Sequence, residues 1–303
     1  MIKVHKRIST SNYDFCIIIN NAFSVRYLIH LIRSLVQQRK ISPLLVIIDY
    51  NSAEVDLITL AKILERYNKE YIIVHQIHND IGSTNQRNIG WFIVKKYFKC
   101  EYIMFLDSDI VFYDNYLLYK LYNIVKRLRE FPGFSHVLYN LDGTVQWSGA
   151  KMLGPLILEM KTYTVLTDFL HGAFMVVKSD IANDQMIFPK IFFIGFDDYY
   201  ISLALRRKYK NINYIVLSIS KVFHIGGGTS SRCSKTRLYE GTKNLVWMSL
   251  KYNNLMTSII SFIEYFIYNI YRCLKQSQFN IIGQLSTMIR GLSVAIKLRT
   301  YAN

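Results

Sequence analysis

Through the first hundred residues, short uninterrupted apolar runs alternate with longer stretches in which apolar residues recur every three or four positions. Runs 15–19, 44–48, 71–74 and 102–106 are apolar throughout, which predicts strands buried on both faces. Segments 25–38, 53–67 and 84–98 carry the helical period and predict three amphipathic helices between those strands. This alternation builds βαβ units and a parallel sheet.

Ligands of a parallel sheet gather beyond the carboxyl ends of its strands. The residues standing there are Asn20 and Asn21, Asp49 to Ser52, His78 to Asp80, and Asp107-Ser108-Asp109. Each group alone can cap a loop or a helix, as Asp49 or Ser52 would for the helix from 53. Four polar ends on one rim point instead to a nucleotide crevice. Two carboxylates one residue apart at the end of a buried strand call for a cation, and a hard divalent metal takes carboxylate oxygens together with phosphates.

Beyond Asp109 the pattern turns α+β. It predicts a helix over 115–130 and strands over 134–140, 144–149 and 168–177, with Asp142-Gly143 as a hairpin turn. A helix over 196–209 opens on Asp197-Asp198 and closes on Arg206, Arg207 and Lys208, which suits the helix dipole at both ends. Short strands follow at 214–217 and 222–224, before Gly226-Gly227-Gly228 interrupts the chain. The acidic pair reads as helix-end charge or as a general base, and His224 as structural or as a metal ligand beside a phosphate-binding loop.

The 303 residues hold 37 Lys and Arg against 21 Asp and Glu, a net charge of +16, so the surface attracts anions. A hydrophobic share of 51% excludes a disordered chain. No helix-turn-helix, zinc or RNA-recognition signature accompanies the charge, and no nucleic acid is expected as partner. Cys16, Cys100, Cys233 and Cys273 form no CxxC pair, so neither a zinc knuckle nor a disulfide framework is expected, and a reducing compartment fits. The first apolar run is too short for a signal-peptide core, and no apolar stretch is long enough to predict a transmembrane helix.

Residues 235–303 carry nine Lys and Arg against two Glu, a local balance of +7. Ile259, Phe262, Ile263, Phe266 and Ile270 share one helical face, as do Leu285, Ile289, Leu292 and Ile296. Such helices pack against protein or lie on an anionic bilayer, with 255–299 as the contact.

The order and spacing of these segments resemble glycosyltransferase family 2, most closely its rhamnosyltransferase-like branch. The resemblance rests on 17–21, 46–52, 79–90 (NDIGSTNQRNIG), 102–112 (YIMFLDSDIVF), 142–149 (DGTVQWSG), 168–178 (DFLHGAFMVVK), 193–207 (FIGFDDYYISLALRR) and 222–230 (VFHIGGGTS). It implies a GT-A fold over residues 1–234: a Rossmann-like nucleotide-binding sheet with a mixed acceptor-side half, followed by a basic amphipathic helical region over 235–303. It implies an inverting glycosyltransferase, moving sugar from a UDP-, dTDP- or GDP-sugar to a glycan or lipid-linked acceptor, in the cytoplasm at the inner membrane face. Carried onto this chain, Asn20, Asn21 and Asp49 contact the nucleoside, and Gly82, Arg87 and Asn88 lie near base and phosphate. Asp109 is the main ligand of Mg²⁺ or Mn²⁺, with Asp107 nearer the ribose and His224 a further ligand. Gly172 lines the donor sugar, and of Asp197 and Asp198 the second is the base. Two departures stand out. The family's Glu-Asp-x-Asp reads here Asp197-Asp198-Tyr199-Tyr200, and His171 stands where the branch often has Thr. The competing reading is a GT-A protein that binds nucleotide sugars or polyanions without turnover.

Overall fold

The computed structural model describes residues 2–23, 25–77, 80–153, 156–160, 165–181, 187–210, 212–226, 235–252, 255–275 and 281–299. The four predicted buried strands are present as β2 (Asn12–Ala22), β3 (Leu44–Tyr50), β4 (Tyr71–Gln76) and β5 (Lys99–Asp107). All four run parallel in the spatial order β4, β3, β2, β5. The helices between them are α1 (Arg26–Val36), α2 (Glu54–Arg66) and α3 (Gly82–Tyr97).

Alternation along each strand divides the core in two. Ile17, Ile19, Ile47 and Met104 face α1 and α2. Cys16, Ile18, Val46, Ile48 and Phe105 face the other way, toward Trp91 and Val94 of α3. Because both faces are covered, these strands are apolar at every position, and the sequence pattern is readable for that reason.

An edge strand, β1 (Ile2–Arg7), pairs antiparallel with β4 and was not expected. Its Lys3, His5, Lys6 and Arg7 mask a two-residue alternation and are the charges that keep an open edge from pairing further. The cysteine expectation is also corrected: Cys16 on β2 and Cys100 on β5 form a disulfide, with Cα atoms 6.0 Å apart. The pair is 84 residues apart in sequence and is brought together by the pairing of adjacent strands, which spacing motifs do not register.

The second half extends the same sheet. It contributes β6 (Ile110–Phe112), α4 (Leu117–Arg127), β7 (Gly133–Tyr139), β8 (Val145–Trp147) and β11 (Leu166–Thr167), while β9 (Ala150–Leu153) and β10 (Leu156–Glu159) pair antiparallel as a separate two-stranded sheet. It continues with β12 (Phe174–Lys178), α5 (Asp197–Lys208) and β13 (Tyr214–His224). β12 inserts antiparallel between β5 and β7, which makes the sheet mixed on this side. The expected strand over 168–177 exists only from Phe174, because Thr167 and Asp168 bond to the backbone of Ala150 and Met152 and turn the chain. The two short strands predicted near 214–224 are one strand with a register shift between Leu217 and Val222.

Three helices close the chain: α6 (Lys235–Tyr252), α7 (Leu255–Lys275) and α8 (Ile281–Arg299). α6 enters the main core through Leu245, Val246, Trp247, Met248 and Leu250. Its polar residues fasten the strap that leads into α5. Glu240 accepts from the Phe193 amide at 3.1 Å, Lys243 donates to the Ile191 carbonyl at 2.7 Å, and Asn244 donates to the carbonyls of Ile194 and Gly195. From the opposite side Asn85 of α3 donates to the carbonyls of Lys190 and Phe192.

Gly82 fits this junction for steric reasons. Its φ is +76°, and a Cβ there would stand 2.0 Å from the Phe193 carbonyl oxygen. Gly82→Ala is therefore expected to destabilise the fold by about 2 kcal/mol or more, read as a lowered midpoint in chemical denaturation. An unchanged midpoint would show that the strap is not held against α3.

Candidate active site

Strand pairing assembles the rim. β5 ends at Asp107, the chain turns through Ser108 and Asp109, and β6 then pairs antiparallel with β13, setting His224 opposite Ile110. The Ile225 amide donates to the Asp109 carbonyl at 2.9 Å. His224 thereby meets residues more than a hundred positions earlier: its Nε2 lies 3.3 Å from Asp109 Oδ1. Among the described residues, Asp107, Asp109 and His224 form the group able to hold a metal, with donor atoms within 4.8 Å of one another. Two carboxylates and an imidazole suit Mg²⁺ or Mn²⁺, and the hard oxygens leave room for phosphate ligands.

Arg87 occupies the centre. It projects from α3, is 4% exposed, and donates to Asp107 Oδ1 at 2.6 Å, to the Gly172 carbonyl at 3.0 Å, to Asn20 Oδ1 at 3.3 Å and to Asp197. Burial alone would lower its pKa, but the fields of Asp197, Asp107 and Asp198 outweigh burial and hold the guanidinium above its ordinary value. Burial raises Asp107, partly offset by Arg87, and Asp109 raises it further.

Asp198 stands at the first turn of α5, against Gly172. It accepts from the Gly172 amide at 3.2 Å and the Tyr199 amide at 2.8 Å. Desolvation first, and the charge of Asp197 second, push its carboxyl up to about 7, with Arg87 pulling the other way. The turn before it is left-handed at both Gly195 (φ +79°) and Phe196 (φ +62°). A side chain at Gly172 would crowd this contact, since its Cβ would lie 3.0 Å from Asp198 Oδ2 and 3.4 Å from the Arg87 guanidinium.

Other expected residues have different surroundings. Asp49 is fully buried, accepting from Asn21 at 2.6 Å, from the Ser52 hydroxyl at 2.6 Å and from the Ser52 amide at 3.2 Å, with His75 Nδ1 at 2.8 Å. In this structure Asp49 and Asn21 tie the strand ends together. The Asn88 amide is committed to the backbone of Ile187 and Phe188. Tyr200, in place of the family's third acid, packs on Phe192 and Tyr252, away from any acidic role. His78, Asn79 and the 227–230 part of the glycine-rich loop lie outside the described residues.

His171 sits between Trp147 and His224, with ring centroids 5.1 and 6.1 Å away, and accepts from the Ala173 amide at Nδ1. Burial, then the charges of His224 and Arg87, lower its pKa to about 3, so the ring is neutral. Sequence reasoning missed His75, Gln146 and the strap-holding residues of α6. His75 and Gln146 lie in strands whose side chains gain meaning only from their cross-strand neighbours, and no local signal marks them.

Comparison with known proteins agrees with this architecture. The structure resembles S. aureus TarS 1-349, with a TM-score of 0.57 at 16% identity over 94% of this chain and 83% of that one. Against another S. aureus TarS structure the TM-score is 0.55 at 17% identity, and this chain spans only 40% of its length. It also resembles the mannosyltransferase PcManGT from Pyrobaculum calidifontis in complex with GDP-Man and Mn²⁺, with a TM-score of 0.52 at 12% identity over 96% and 88% of the two chains. At these identities the likeness establishes the GT-A fold. No curated protein sequence matches the chain. The profile of glycosyl transferase family 2 matches residues 14–185, more than half of the chain and every strand end on the rim from Asn20 to Asp109, and the chain belongs to that family.

Proposed function

We propose that this chain is an inverting transferase that moves a sugar from a UDP-, dTDP- or GDP-sugar to a hydroxyl of a glycan or lipid-linked glycan. The observation that carries the reading is the convergence on Arg87 of Asp107 from the metal-binding group and Asp197 from the acid pair, with Asp198 adjoining through Gly172. The acceptor hydroxyl would attack the anomeric carbon as the bond to the diphosphate oxygen breaks, and its proton would pass to Asp198. A carboxyl with a pKa of about 7 is matched to that transfer near neutral pH. A divalent cation held by Asp109, His224 and Asp107 would supply charge neutralisation for the departing nucleoside diphosphate. Arg87 would keep Asp197 and Asp107 in place, and the neutral His171 ring beside His224 would shape the pocket for the donor sugar.

The acceptor side supports a membrane-borne substrate. Tyr265 of α7 packs on Phe196, next to the acid pair, with ring centroids 5.5 Å apart. The opposite face of α7 presents Ile259, Ile260, Ile263, Ile267 and Tyr271 to solvent. Of the apolar stripe read from sequence, Phe262 turns inward beside Tyr265, while Ile259 and Ile263 face outward. No helix among the described residues is long and apolar enough to cross a membrane, so the contact would be peripheral, favoured at an anionic surface by the +16 charge.

Four outcomes follow. Asp198→Asn should lower transfer by roughly 10²–10⁴-fold while leaving donor binding intact in calorimetry; full transfer in that variant removes Asp198 from the base role. In the wild type, kcat/KM for the acceptor should rise with pH through about 7. The same raised pKa means that the folded state holds this proton between the ordinary carboxylate value and about 7 and loses that stability as pH rises, so Asp198→Asn should melt no lower than wild type at alkaline pH. For the membrane, the double variant Ile263→Asp, Ile267→Asp should lose at least about tenfold in co-sedimentation with phosphatidylglycerol vesicles. Unchanged partitioning would count against α7 as the docking face.

A further inference from the structure

Gln146 has no part in the reaction described above, yet its placement ties it to the metal-binding group. It lies in β8, which follows the Asp142-Gly143 turn and folds back on β7. The pairing runs Tyr139 to Val145 and Leu138 to Trp147, so β8 carries one residue more than its partner, and Gln146 falls at the irregularity. A bulge of this kind re-aims a side chain relative to a regular strand. Trp147 turns into the core at 3% exposure, while the Gln146 amide reaches β13 and stands beside Gly226. There Gln146 Oε1 lies 2.7 Å from His224 Nδ1.

We infer that Gln146 is a positioning residue for the metal site, fixing the tautomer and the direction of His224. The inference rests on reading Asp107, Asp109 and His224 as a divalent-cation site. An imidazole offers a lone pair at one nitrogen only when its proton sits on the other. Here Nε2 faces Asp109 at 3.3 Å, so the productive form carries its proton on Nδ1. The Gln146 carbonyl oxygen accepts that N–H and selects that form. It also restrains ring rotation, so that Nε2 remains on the side of Asp107 and Asp109. A carbonyl acceptor is the partner this geometry requires, and removal of such a partner from a ligating histidine costs roughly 10–100-fold in metal affinity.

The test is equilibrium Mn²⁺ binding to the full chain, read from the electron paramagnetic resonance signal of free Mn²⁺, for the wild type, Asp109→Ala, Gln146→Leu and Gln146→Glu. Binding that is lost in Asp109→Ala, weakened at least about tenfold in Gln146→Leu and restored in Gln146→Glu is the expected result. Wild-type affinity in Gln146→Leu, or equal weakening in Gln146→Glu, overturns the role of Gln146 while leaving the metal site standing. Absence of Mn²⁺ binding in the wild type, or its survival in Asp109→Ala, overturns the site reading and the inference together. Should Gln146→Leu fail to fold, long-range ¹H–¹⁵N spectra of the wild type loaded with Mg²⁺ decide the matter. A proton on His224 Nδ1 supports the inference, and a proton on Nε2 contradicts it.

Discussion

One buried cation organises this molecule. The Arg87 guanidinium is almost wholly removed from water, and charge in such a place is tolerated only when paired and hydrogen-bonded on every side. Its partners come from four places: Asn20 at the end of β2, Asp107 at the end of β5, Gly172 before β12 and Asp197 at the start of α5. Removing one partner of a buried ion pair costs about 3–5 kcal/mol, so these four elements are held in mutual register. The parallel first half of the sheet and its mixed second half meet at this arginine.

The same pairing shapes the chemistry on either side. Three carboxylates, Asp107, Asp197 and Asp198, share the field of one guanidinium, and that field does not satisfy them equally. Asp197 bonds Arg87 directly, whereas Asp198 bonds only backbone amides and keeps a raised pKa. Two adjacent acids in one sequence motif are thereby given different surroundings, Asp197 against the guanidinium and Asp198 against backbone amides, and that difference is what suits Asp198 to the proposed role of base. The strap over 190–196 completes the arrangement, since Asn244, Lys243 and Glu240 of α6 and Asn85 of α3 hold the chain from which the acid pair emerges. α6 is therefore part of the machinery that supports the site, in addition to being part of the basic C-terminal region.

The readable part of the sequence is the part ruled by strong local physics. Four parallel strands covered on both faces are necessarily continuous apolar runs, and Asp107, Asp109 and the acidic start of α5 stand out because charge beside such runs is costly. What was not readable depends on neighbours distant in the chain. β1 alternates too weakly among its cations, the Cys16–Cys100 bond needs β2 beside β5, and Gln146 acquires a purpose only when β8 and β13 both pair with β7 and bring it to His224. The contacts of Asp49 and Asn88 belong in the same class. Their motif positions suggest ligand contact, while their side chains here are saturated by Ser52, Asn21 and His75 and by the 187–188 backbone.

The central claim is that a metal and a base are held on two sides of Arg87. Anomalous diffraction from a crystal soaked with Mn²⁺ and a nucleoside diphosphate tests it most directly. The account predicts a single strong peak bound by Asp109 and His224, bridged to the diphosphate, with Arg87 still on Asp197 and Asp198 free of the metal. A diphosphate bound with no Mn²⁺ at Asp109 and His224, or Mn²⁺ on Asp198, would contradict it.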